Sequence, residues 1–142
     1  MITLIAITIL DVYPDPCGSN RERNKKAKLN QEWIDIKNIG DEDFKLKGRV
    51  LIDRTPTNQR RHKKVISPMN PNFTLPVGVK IRIYTGKMDD PADIPPPIPE
   101  GMWKYFLGHE AYIWNALGDT AEIHASEAHL NEGRTPLARK VF

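Results

Sequence analysis

Glu32-Trp33-Ile34-Asp35-Ile36-Lys37-Asn38 is the stretch on which the fold turns. Ile34 and Ile36 alternate with Trp33, Asp35 and Lys37. Successive side chains of a strand point to opposite faces, so this two-residue period gives an apolar inner face and a polar outer one. A turn follows at Gly40 and Asp41, where the backbone needs residues that tolerate tight geometry. Beyond it, Phe44, Leu46, Val50 and Ile52 interleave with Lys45, Lys47, Arg49 and Leu51, which predicts one further strand. Gly48 interrupts its apolar face and marks a bulge, or a place where another side chain packs closely over the backbone.

The same period recurs on either side. Residues 2–12 are rich in Ile, Leu and Thr and close at Tyr13-Pro14-Asp15-Pro16-Cys17-Gly18, where two prolines stop a ladder. After a Pro76-Val77-Gly78 turn, Val79, Ile81 and Ile83 alternate with Lys80, Arg82 and Tyr84. Residues 111–115 and 120–124 flank a Gly118-Asp119 turn signal as a hairpin or one bent strand, and residues 138–142 supply a short closing strand. Helical periodicity is nearly absent. These features predict an all-β, immunoglobulin-like β-sandwich of roughly seven to nine short strands, in one domain over residues 1–142. Surface loops are expected at 17–31, 54–72 and 87–103, the last carrying Pro91, Pro95, Pro96, Pro97 and Pro99 as an extended polyproline-like run.

Composition narrows the function classes. No apolar run approaches the ~20 residues of a membrane helix, so no membrane span is expected. Cys17 is the single cysteine, which excludes an internal disulfide and favours a reducing, cytoplasmic compartment. Residues 2–10 lack the positive leading segment and small-residue cleavage site of a signal peptide and are read as strand; secretion or surface display is the expectation only for a trimmed N-terminus. Catalysis requires a nucleophile with a base and an orienting group, or a metal with enough ligands. Cys17 lies in a turn without a local cysteine-enzyme signature, and His62, His109, His124 and His129 form no recognised ligand spacing. The acidic groups Asp41, Glu42, Asp43 and Asp89, Asp90, Asp93 lack calcium-loop order, and the glycines stand singly rather than in a phosphate cradle. No enzyme activity, cofactor or metal is expected. The aromatic residues Trp33, Trp103, Trp114, Tyr84 and Tyr112 are read mainly as core.

The positive residues are unevenly placed despite a formal charge of only +3. Arg21, Arg23, Lys25, Lys26 and Lys28 form one run, and Arg60, Arg61, Lys63 and Lys64 another. Lys45, Lys47 and Arg49 share one strand face, and Lys80 and Arg82 share another. If both faces border one sheet, they and the loop 60–64 form a basic stripe able to follow a phosphate backbone.

The order of these fragments resembles the lamin-tail (intermediate-filament tail) domain family, in a divergent, prokaryotic-type form. The likeness is carried by residues 32–38, Gly40-Asp41-Glu42, Leu46-Lys47-Gly48 and Leu51-Ile52-Asp53 in the first half. In the second half it is carried by Leu75-Pro76-Val77-Gly78, Ile83-Tyr84-Thr85-Gly86 and residues 113–121, and it covers roughly residues 2 to 124. The chain departs from the pattern at Arg49, where the family usually has tryptophan, and in insertions around residues 21–28 and 91–99. The resemblance implies a non-enzymatic interaction module that binds a protein partner. The alternatives are nucleic-acid binding through the basic residues, or an accessory role beside a nuclease or hydrolase. An exposed edge strand would also permit homo-oligomer formation.

Overall fold

Strand alternation in the sequence becomes two packed sheets in three dimensions. The computed structural model describes residues 6–13, 29–54, 62–66, 74–88, 98–109, 114 and 120–142, with backbone alone for 62–66. Its elements are β1 (Ile7–Tyr13), β2 (Trp33–Asn38), β3 (Phe44–Lys45), β4 (Val50–Arg54), β5 (His62–Ile66), β6 (Thr74–Leu75), β7 (Lys80–Tyr84), β8 (Trp103–Phe106), β9 (Thr120–His124), α1 (Glu127–Asn131) and β10 (Ala138–Val141). A 3-10 turn at Leu29–Gln31 precedes β2.

The first sheet runs β1-β2-β7-β8 and the second β10-β9-β4-β5, with a two-stranded β3-β6 ribbon beside them. All pairings are antiparallel except β7 with β8, which is parallel. The all-β sandwich read from the sequence is therefore the fold, with ten strands among the described residues rather than seven to nine. Its core lies between the sheets. Ile7, Ile9, Ile34, Ile36, Ile81 and Ile83 of the first sheet cluster with Leu51, Ala121 and Ile123 of the second. Each isoleucine or leucine among them contributes about 1.5–3 kcal/mol on burial.

Strict alternation fails at one informative place. Ile9 and Val12 are both buried although three positions apart, and the β1–β2 register shifts between Ile9 and Asp11. The shift leaves Leu10 as the extra residue of a β-bulge, and the strand resumes with Val12 inward and Asp11 and Tyr13 outward.

Two polar clamps hold the ends of the first sheet. Buried Asn38 donates from Nδ2 to the carbonyls of Glu42 (2.8 Å) and Leu75 (2.9 Å), while its Oδ1 accepts from Gly40 N–H (2.9 Å). One side chain thereby ties β2 to the turn after it and to β6. At the other end, Gly86 N–H donates to Asn30 Oδ1 and Asn30 Nδ2 donates to the Lys87 carbonyl, both at 2.8 Å. A Cβ on Gly86 would lie 2.8 Å from both Asn30 Oδ1 and Leu29 Cβ, so only glycine fits beside the 3-10 turn.

Several expectations are corrected. The run 44–52 is not one strand: it breaks at a turn where Gly48 adopts φ +83°, and Arg49 N–H donates to the Leu46 carbonyl at 3.2 Å. No atom lies within 4 Å of where a Gly48 Cβ would sit, so backbone conformation and not close packing requires the glycine. The segment 54–72, expected as loop, contains β5 paired to β4, and the last residue of the expected 87–103 loop, Trp103, opens β8. Leu29 and Asn30, inside the expected 17–31 loop, form a buried turn. Helix α1 was not foreseen; Ser126 caps it by accepting from His129 N–H at 3.2 Å. The predicted hairpin keeps its second arm as β9, while residues 111–113 and 115–119 lie outside the described set.

Candidate functional site: the outer face of the first sheet

The strand register that buries the isoleucines fixes what the opposite face presents. Tyr13 pairs with Trp33, Trp33 with Tyr84, and Tyr84 with Phe106, so one aromatic residue from each strand lines up across the sheet. The rings interact along the row. Tyr13 stacks on Trp33 with centroids 4.6 Å apart, Trp33 meets Tyr84 edge-on at 6.4 Å, and Tyr84 stacks on Phe106 at 4.7 Å. Such pairs add about 0.5–1.5 kcal/mol beyond area burial. Tyr84 is buried by its neighbours, Trp33 and Phe106 are half-buried, and Tyr13 at the strand end is 50% exposed.

A second row, one step along, is charged. Asp11 aligns with Asp35, Asp35 with Arg82 and Arg82 with Lys104. Arg82 donates from Nε to Asp35 Oδ1 (2.8 Å) and from Nη2 to Oδ2 (2.9 Å), a bidentate pair, and its guanidinium lies 4.3 Å over the Trp33 ring. The bond to Asp35 raises the Arg82 pKa against the opposing effect of burial. Burial in turn raises the Tyr84 hydroxyl above its usual range. The pair fixes the Trp33 ring while matching Arg82's charge with a carboxylate. A third row pairs Thr8 with Lys37 and Lys37 with Lys80. Where the aromatic row reaches the β8 edge, Lys87, Met88, Lys104, Tyr105, Phe106 and Gly108 line a cavity of about 420 Å³.

The outer face of the second sheet is organised differently. Val50 and Ile52 lie under Leu130 of α1. Beside them the buried carboxylate of Glu122 faces Arg54 (3.1 Å), His124 Nε2 (2.8 Å) and Arg139 (3.4 Å). Burial alone would push the Glu122 pKa up, but hydrogen bonds from Arg54 and His124 outweigh it and hold the carboxyl below its usual range. His124 is itself buried, and its Nδ1 has no hydrogen-bond partner among the described residues.

The basic residues singled out in the sequence are dispersed. Lys45 lies exposed on β3, in the small ribbon, and Lys47 in the turn after it. Arg49 is tethered: its Nε donates to the Lys45 carbonyl (3.1 Å), its Nη1 to the Ala125 carbonyl (3.3 Å), and its guanidinium caps the Phe44 ring at 4.7 Å. It covers a core aromatic at the position where the resemblance leads one to expect tryptophan. Lys80 is exposed and Arg82 is paired, both on the first sheet. Lys63 and Lys64 stand on β5 in the second sheet, opposite Asp53 and Ile52. Arg60 and Arg61 lie outside the described residues. Lys45 to Arg49 and Lys80 to Arg82 therefore do not border one sheet, which was the condition for a continuous stripe.

Tyr13, Asp35, Lys104, Phe106, Arg54, Glu122 and Arg139 were not foreseen as site residues. Each is unremarkable until register sets it beside a partner. Among the described residues no group of three or more His, Cys, Asp or Glu side chains is placed to hold a metal ion. None of the described helices is long and apolar enough to cross a membrane. Comparison of the sequence with protein-family models and with curated proteins gives no match.

Proposed function

We propose that this chain is a non-enzymatic interaction module of lamin-tail type, an immunoglobulin-like sandwich that binds a protein partner through the outer face of its first sheet. The observation that carries the reading is the row Tyr13–Trp33–Tyr84–Phe106 with Arg82 and Asp35 locked against it. Tyrosine, tryptophan and arginine dominate binding energy at protein interfaces, and side chains already held in one geometry lose little entropy on docking. Because Asp35 matches the charge of Arg82, this face favours a protein surface over a phosphate backbone.

A second reading, nucleic-acid binding, draws on the other sheet. There Arg54 and Arg139 converge on one carboxylate, and register sets His62 opposite Arg54 and Lys64 opposite Ile52. Two salt concentrations separate the readings. Partner binding through the aromatic row survives moderate salt and is lost in Trp33→Ala; binding to duplex DNA, followed by fluorescence anisotropy, fades steeply as salt rises and is lost in Arg139→Glu. Capture that is insensitive to Trp33→Ala removes the first reading.

A further inference from the structure

We propose that the β8 edge and the cavity beside it take an extended acidic peptide carrying one aromatic residue, which adds to the first sheet as a further strand. This deepens the protein-binding reading and rests on it.

The edge itself is the first observation. The first sheet has two edges, β1 and β8. Strand β1 lies against β10 of the second sheet, whereas β8 has no strand on its far side among the described residues. Leu107 N–H donates to the Tyr84 carbonyl at 2.8 Å, so Leu107 and, by alternation along a parallel ladder, Tyr105 turn their main-chain groups towards β7. Lys104 and Phe106 then turn their N–H and C=O groups outward, where a peptide backbone can pair with them.

Side-chain chemistry selects the occupant. The cavity of about 420 Å³ is walled by Phe106, Tyr105 and Met88. One face of Phe106 is taken by Tyr84, with the planes 17° apart, so an aromatic ring entering the cavity would extend a stack that already crosses the sheet. Lys87 and Lys104 complete the wall, with no carboxylate among the lining residues. The exposed Lys104 ammonium beside this apolar cavity favours a segment in which acidic residues flank the aromatic one. Lys104 also opposes a second copy, because a two-fold pairing of β8 strands would bring two copies of this lysine to one edge.

The test uses fluorescence anisotropy with the full chain and a set of short labelled peptides in which aspartate and valine alternate around a central phenylalanine. The expected result is saturable binding weakened about tenfold by Lys104→Glu, a surface substitution whose folding is verified by an unchanged melting temperature. Replacing the peptide phenylalanine by alanine, or N-methylating the peptide amides that face β8, weakens it by a similar factor. Lack of binding by every peptide at about 1 mM overturns the proposal. So does binding indifferent to both Lys104→Glu and N-methylation. A concentration-dependent dimer in light scattering, broken by Lys104→Glu, would assign the edge to a second copy instead. If Trp33→Ala abolishes capture of a protein partner while Lys104→Glu leaves it intact, the aromatic face stands as the binding surface and the β8 edge does not.

Discussion

The two outer faces of this sandwich solve the same problem in opposite ways. On the second sheet, α1 lays Leu130 over Val50 and Ile52, and the polar side chains beside them converge on Glu122, which is 4% exposed. On the first sheet no helix among the described residues covers the face, and the side chains brace one another in the open: aromatic against aromatic, Arg82 against Asp35 and Trp33. The first arrangement places its polar group where losing a partner strands a charge. The second keeps large side chains ordered yet accessible. Substitutions on the second sheet should therefore cost stability, and those on the first should cost binding.

The largest stability loss is expected for Glu122→Ala. It removes the acceptor shared by Arg54, His124 and Arg139, and breaking a buried ion pair by deleting one partner costs about 3–5 kcal/mol. Urea denaturation measures it, and a loss below about 1 kcal/mol would mean that Glu122 does not organise this face. Leu130→Ala comes next. Its side chain closes the small apolar cluster with Val50 and Ile52, so truncation should cost about 2–4 kcal/mol. A near-neutral result would show that α1 is a passive cover.

Acid sharpens the contrast further. The Glu122 pKa is lowered in the folded chain, so the stability from its ionised form is present above the unfolded value of 4.5 and lost as pH falls through the folded one. Denaturation midpoints compared between neutral pH and pH values below that point should fall more for the wild type than for Glu122→Gln, which has no charge there to lose. Equal slopes would remove Glu122 from the acid response.

These differences between the faces were only partly legible in the sequence. Ile34 and Ile36 declare an inner face because burial of a strand imposes a two-residue period. The same period places Trp33, Asp35, Arg82 and Tyr84 outward. Pairing is another matter: that Asp35 meets Arg82, 47 residues away, or that Phe106 closes the aromatic row on Tyr84, 22 residues away, depends on registers between strands distant in the sequence. One further residue at the β1 bulge decides whether Tyr13 faces Trp33 at all. The break at Gly48 was hidden for a different reason: Val50 and Ile52 continue the even-numbered apolar positions of Phe44 and Leu46 in the sequence, yet after the turn it is Leu51 that joins the inter-sheet core while Val50 and Ile52 lie under Leu130. Charge counts carry no information on intramolecular partners: Arg49 and Arg82 are held by carbonyl, carboxylate and ring, which the sequence does not show.

The smallest stability effect, and the sharpest test of the comparison, is expected at Tyr13. Its ring is half-exposed and touches the row only through Trp33, so Tyr13→Ala removes one stacked pair and little buried area. A double-mutant cycle of Tyr13→Ala with Trp33→Ala should give a coupling of about 0.5–1.5 kcal/mol, the range of isolated aromatic pairs. Partner affinity should fall by more than that coupling accounts for, since a preformed Trp33 ring is what docking would use. Trp33 is also held by Arg82 from its other side, so Arg82→Lys, which keeps the charge but not the planar fork, should loosen the ring without unfolding the sheet. If the cycle shows no coupling while affinity still falls, the row acts as separate contacts; coupling with unchanged affinity would make it a structural brace and turn the binding surface over to the β8 edge alone.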